Sequence, residues 1–175
     1  MDILIERIIT KATHKRFPKN TILLKAGETA DKFVFLKSGI TRHFLIDSHG
    51  NDITKNFSQG PCFVLYSMSS FLSRTPSDIQ LETLSDVELY ELDYDSFVEM
   101  KSDPQFLELW NNILVNFVIK KEKKEIALLR DDTTRKYLDF LKDFPYLLNK
   151  IPHYYIASYL SVSPETLSRI RRKIS

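Results

Sequence analysis

The chain has 175 residues, 43% hydrophobic and 27% charged, enough apolar material for one good-sized core, with or without a small extra module, and too much for a disordered chain. No run approaches the roughly 20 apolar residues that cross a bilayer, and the opening MDILIERIITKATHKRF interleaves charge with Ile and Leu where a secretory signal would be uninterrupted, so the expected location is the cytoplasm. The net charge of +2 is unevenly placed: residues 150–175 carry Lys150, Arg169, Arg171, Arg172 and Lys173 against the single acid Glu165, a footprint expected of a polyanion-binding module.

Residues 21–93 read as β structure. Short segments such as TILL, KFVFLKSG, ITRHFLI, DITKNF, IQLETL and VELYELD are separated by turn chemistry at AGETAD, KSG, DSHGND and SQGP. Many short strands imply a sandwich or barrel. In VELYELD both alternating sets contain apolar residues, so the inward face stays open. The four glycines, Gly27, Gly39, Gly50 and Gly60, all fall at these turns, and neither GxGxxG nor GxxxxGK[ST] occurs, which leaves nucleotide phosphate loops without support.

From Asp95 the texture changes to helix. Asp95 or Ser96 can cap a short helix through Met100, and Asp103 and Pro104 can start a long one running to about Arg130. Phe106, Trp110, Ile113 and Phe117 recur near a three-and-four spacing on it and are assigned to a dimer seam, packing on the β domain being the alternative. KKEKKE, residues 120–125, reads as a solvated helical face. A further helix, TTRKYLDFLKDF, is capped by Asp132 or Thr133 and stops before Pro145.

The last block, IPHYYIASYLSVSPETLSRIRRKIS, reads as two short helices joined by a tight turn. Pro152 opens the first, and Ser163 caps the second, with Pro164 in its first turn and Glu165 near the positive end of the dipole. Ile156, Ala157 and Leu160 are expected to pack on Val162, Leu167 and Ile170, small Ala157 permitting a steep crossing. The outward face then holds Glu165, Thr166, Ser168, Arg169, Arg172 and Lys173. Short polar residues early and long cations later suit a major groove, where the helix start meets base edges and flanking cations meet phosphates. Arg169 is the candidate for a bidentate contact to guanine, and Glu165 can accept from a cytosine amino group.

The pattern IASYLSVSPETLSRIRRK resembles the DNA-reading end of the Crp/Fnr family of bacterial transcription regulators, and LLKAGETADKFVFLKSGITRHFLIDSHGNDI resembles the first strands of that family's cyclic-nucleotide-binding type jelly roll, with Gly27, Asp31 and Gly39 at its turn positions. The resemblance implies an α+β fold: a jelly-roll sensor domain over residues 1–102, a dimerisation helix over 103–131 and a (winged) helix-turn-helix over 132–175. It also implies a homodimer on double-stranded DNA, with Ser163, Glu165, Thr166 and Arg169 at base- or backbone-contacting positions and with a small-molecule effector and RNA polymerase as further partners. Pro164 replaces a residue often polar or basic in the family. Only Ser175 follows RIRRKI, where the family usually places a wing.

The cyclic-AMP-binding members of that family resemble one another in a glycine-glutamate pair for the ribose and an arginine-serine pair for the phosphate. Here Val64 and Leu65 stand where the first pair belongs, and Thr75 and Pro76 stand close to the second, with Arg74 the nearby cation. Val64, Leu65, Arg74 and Thr75 are the candidate effector-pocket residues, yet a buried cyclic phosphate would lack charge-assisted donors, so tight binding of cyclic AMP is not expected. One cysteine, Cys62, cannot close an internal disulfide or hold an iron–sulfur cluster or zinc ion by itself, and His14, His43, His49 and His153 are scattered and read as surface or strand histidines. No metal or cofactor is expected, nor enzymatic activity. The rival reading is a ligand-binding or protein-interaction module of the same fold that has lost DNA binding.

Overall fold

In the computed structural model, which describes residues 3–145 and 147–174, the chain forms two compact units. The first comprises the chain up to Leu45 together with Lys55–Ile113, and the second comprises Ile46–Thr54 together with the chain from Leu114 onward. Ser175, noted above at the position of a wing, lies outside the described residues.

Eight strands build two antiparallel four-stranded sheets, β1 (Thr13–Phe17), β2 (Ile22–Leu24), β3 (Lys32–Ser38), β4 (Ile40–Ile46), β5 (Asp52–Gln59), β6 (Cys62–Leu65), β7 (Gln80–Thr83) and β8 (Val87–Asp93). One sheet has the order β1-β8-β3-β6 and the other β2-β7-β4-β5. Two turns use glycine for a physical reason. Gly39 has φ +98°, and a Cβ there would meet the Asp86 carbonyl oxygen at 2.4 Å; Gly27 has φ +86°.

The register explains why the inward face of VELYELD was open. Phe33 pairs with Leu92 and Leu65 across the first sheet, and its ring lies against Phe63, Phe97, Phe106 and Trp110 at centroid distances of 5.2, 5.4, 5.6 and 6.0 Å. Its neighbours Val34 and Leu36 point to the opposite face and are also buried. A sheet covered on both sides has no polar face to betray its orientation.

The helices are α1 (Ile3–Lys11), α2 (Met68–Ser73), α3 (Tyr94–Met100), α4 (Pro104–Arg130), α5 (Thr133–Asp143), α6 (His153–Tyr159) and α7 (Pro164–Ile174). All five expected helices appear, α3 to α7: α3 is capped two residues before Asp95, where the Asp93 carboxylate accepts from the Ser96 amide, and Asp132, one of the two expected caps, closes α5 by accepting from the Arg135 amide. The helix α1, the strand β1 and the short α2 were not expected; α2 interrupts the stretch read as wholly β. The core of the first unit lies between the sheets and under the aromatic cluster, where Phe106 and Trp110 are 0% and 5% exposed. These two residues therefore do not supply a dimer seam, a correction to the sequence reading. They are among the largest apolar side chains on α4, and packing each against Phe33 and Phe97 removes its apolar surface from water within the chain itself, leaving almost none to offer a partner.

Candidate nucleic-acid interface

Within the second unit, α6 and α7 form the expected pair. Ile156, Ala157 and Leu160 are buried with Leu167 and Ile170, and Val162 is half-buried. The turn between the helices is closed by the Val162 amide donating to the Ala157 carbonyl at 3.0 Å, with Ser161 in the left-handed region at φ 58°. Ser163 Oγ accepts from the Thr166 amide at 3.2 Å, the N-cap bond, and its hydroxyl also lies 3.2 Å from Thr166 Oγ1. The Glu165 carboxylate is held below its usual range by its own backbone N–H and by the Ser163 hydroxyl.

Glu165, Thr166, Arg169, Arg172 and Lys173 line one open concavity along α7. Ser168 is exposed on the same helix, as is the cap Ser163. The structure thus brings the polar start and the basic end of the helix onto one surface. Arg171 is turned the other way: its Nη1 lies 2.8 Å from His153 Nδ1 on α6. The α6 helix is further tied to its neighbours by Tyr159, whose ring meets Phe140 tilted and Phe144 edge-on at 5.7 and 5.8 Å and carries Lys124 Nζ at 3.7 Å. Burial, aided by Asp143, pushes the Tyr159 hydroxyl up to about 12.

The candidate effector residues fall in the first unit. Val64 and Leu65 are buried in β6, as sheet residues paired with Val34 and Phe33. Arg74 is exposed, ends α2 in the left-handed region at φ 57°, donates to the Ala30 carbonyl at 3.2 Å and lies 4.0 Å above the Tyr94 ring. Thr75 shares a 2.6 Å hydroxyl contact with Ser73. This set does not fit a cyclic phosphate: the apolar pair offers no acceptor to a ribose, and the cation is already engaged. Among the described residues no group of three or more His, Cys, Asp or Glu could hold a metal ion, and no helix is long and apolar enough to cross a membrane.

On α4, Ile113 is half-buried and Phe117 exposed. Other unburied apolar positions on α4 include Val115, Val118, Ile119, Ile126, Leu128 and Leu129, with Val118 62% and Leu129 85% exposed; a spacing argument anchored on the larger aromatic residues does not single out Val115, Val118, Ile119, Ile126 or Leu129. Sequence reading also missed Ser158, whose hydroxyl bonds a segment more than 100 residues away, and Tyr94, the partner of Arg74.

Comparison with known proteins supplies the family. Residues 14–103 match the family model of the cyclic nucleotide-binding domain. Among solved structures, the c-di-GMP responsive global regulator CLP of Xanthomonas campestris is similar over 97% of this chain and 89% of its own, at 19% identity and a TM-score of 0.76. FixK2 from Bradyrhizobium japonicum is similar over 93% and 84%, at 18% identity and a TM-score of 0.79, and a Crp/Fnr-family structure from Eubacterium rectale over 99% and 83%, at 17% identity and a TM-score of 0.72. No curated protein matches the sequence. The eight-stranded sandwich followed by helices is the Crp/Fnr architecture, and the chain belongs to the cyclic nucleotide-binding domain family.

Proposed function

We propose that this protein is a cytoplasmic transcription regulator of the Crp/Fnr type, which binds double-stranded DNA in a sequence-specific manner as a homodimer through α6 and α7. The observation that carries this reading is the single surface of α7 on which a capped helix start with Glu165 and Thr166 adjoins Arg169, Arg172 and Lys173. Glu165, Thr166, Ser168 and Arg169 read bases; Arg172 and Lys173 meet phosphates, with the backbone at Ser163 assisting. An acid among the readers works against indiscriminate phosphate binding, because any misregister brings it against the backbone.

The homodimer is supported by unburied apolar residues along a 27-residue helix: Val115 and Val118, and Ile126 and Leu129, lie three apart, Val115 and Ile119 four apart, and Ile119 and Ile126 seven apart, spacings that a two-helix seam uses. Two recognition helices about 34 to 36 Å apart would then address an inverted repeat. Cyclic AMP is not the effector, since the pocket residues do not fit its phosphate; an effector of other chemistry and RNA polymerase complete the set of partners.

The test is selection of bound duplexes from a random pool, followed by shift assays at fixed salt. An inverted-repeat consensus is expected, with Arg169→Ala losing discrimination at one base pair by roughly 1 to 3 kcal/mol and Arg172→Ala reducing the steepness of the salt dependence. A pool that yields no consensus overturns the reading and favours a partner-binding module.

A further inference from the structure

We propose that Ser158 is a positioning residue for DNA reading: with the hairpin Ile46–Thr54 it fixes α6, and through α6 the recognition helix, in the orientation that meets DNA. The proposal rests on the DNA-reading function above. Its basis is a two-point hydrogen bond within the second unit. Ser158 Oγ accepts from the Thr54 amide at 2.8 Å and donates to the Asp52 carbonyl at 3.0 Å. A carbonyl and an amide two residues apart on a strand project to the same side, and β5 is the outermost strand of its sheet. One hydroxyl therefore meets the strand as a neighbouring strand would, as donor and acceptor at once. Because the two bonds run in opposite senses, they restrain both the position of α6 and its rotation about its axis.

The hairpin is built to hold such a restraint. The Asp47 carboxylate accepts from the amides of His49 and Asn51 at 2.8 and 2.9 Å and from Asn51 Nδ2 at 2.8 Å, and the chain ends are closed by the Asp47 amide on the Asn51 carbonyl at 3.0 Å. These bonds hold the Asp47 carboxyl below its usual range, the Asn51 side chain first among the causes. Thr54, at the other end of the clamp, is buried. Among the described residues, α6 is tied by its apolar face and by His153 to α7, by Tyr159 to Phe140, Phe144 and Lys124, and by Ser158 to the hairpin. The residues lining the concavity of α7 take no part in the last of these. Loss of the Ser158 hydroxyl consequently removes no reader and no phosphate partner; it loosens the frame that aims them, and a reading constellation tolerates displacements of only about half an ångström.

The experiment uses the full chain and compares wild type, Ser158→Ala, Ser158→Thr and Arg169→Ala on the selected duplex and on an unrelated duplex at the same salt. Ser158→Ala is expected to weaken binding to the selected duplex about tenfold with binding to the unrelated duplex unchanged, and to speed amide exchange at Thr54. Ser158→Thr, which keeps the hydroxyl, restores both. An unchanged ratio between the two duplexes in Ser158→Ala, while Arg169→Ala lowers it, overturns the positioning role and leaves the reading of α7 standing. Unchanged exchange at Thr54 overturns the clamp whatever the DNA result. If Arg169→Ala leaves the ratio intact, the reading itself falls, and the positioning role with it.

Discussion

His43 Nε2 lies 2.9 Å from the carbonyl oxygen of Leu65. A carbonyl only accepts, so Nε2 carries the proton, and Nδ1 is left buried with no hydrogen-bond partner among the described residues. A second proton on this ring would place an uncompensated charge in the sandwich. Desolvation accordingly pulls the imidazole down to about 4, with Lys55 adding to the effect and the Leu65 carbonyl opposing it. The unfolded chain protonates near 6.5 while the folded one resists until about 4, so stability is full above pH 6.5 and falls as the pH drops through that window. The loss amounts to about 3 kcal/mol at pH 4. Urea unfolding midpoints measured from pH 7.5 to 4 are expected to show this slope, and a His43→Leu variant to lose that part of it.

Two residues of α4 should separate folding from association. Trp110→Ala opens the aromatic cluster beside Phe33 and Phe97 and is expected to cost about 3 to 5 kcal/mol in chemical unfolding. Val118→Glu places a charge on an unburied apolar position and is expected to yield monomers by sedimentation, with the far-ultraviolet dichroism of the sandwich retained. Dimers persisting in Val118→Glu at micromolar concentration would move the seam elsewhere.

The turn of the helix pair carries strain that a single substitution relieves. Ser161 sits at φ 58°, a conformation costing an ordinary L-residue roughly 1 kcal/mol and glycine almost nothing. Ser161→Gly is therefore expected to raise stability by up to about 1 kcal/mol, and Ser163→Ala, which deletes the cap bond to Thr166, to lower it by about 1 kcal/mol. Thermal melts of the two variants should move in opposite directions.

Arg74 is expected to behave as a structural residue. Arg74→Ala loses the Tyr94 ring contact and the bond to Ala30 while keeping the left-handed backbone, a destabilisation of about 1 to 2 kcal/mol. Titration calorimetry with cyclic AMP should give no micromolar binding in wild type or variant. A heat of binding abolished by Arg74→Ala would reverse the assignment.

Much of the architecture was legible because its signals are local. Pro104, Asp132 and Ser163 announce helix starts through backbone chemistry that operates within one turn, and glycines at turns with φ near +90° do the same for the strands. The polar and basic face of α7 could be read for the same reason: a helix fixes which of its own residues share a side. What only the tertiary structure decided depended on partners far along the chain. Phe106 and Trp110 looked like a seam until Phe33 and Phe97 claimed them, and apolar spacing cannot say which apolar surface a helix will meet. His43 looked like any strand histidine until the fold set its Nε2 on the Leu65 carbonyl and buried its Nδ1. Ser158 carried no signal at all, because the groups it bonds, the Asp52 carbonyl and the Thr54 amide, belong to the backbone, which every residue has, and only the folded chain brings them within 3.0 Å of its hydroxyl.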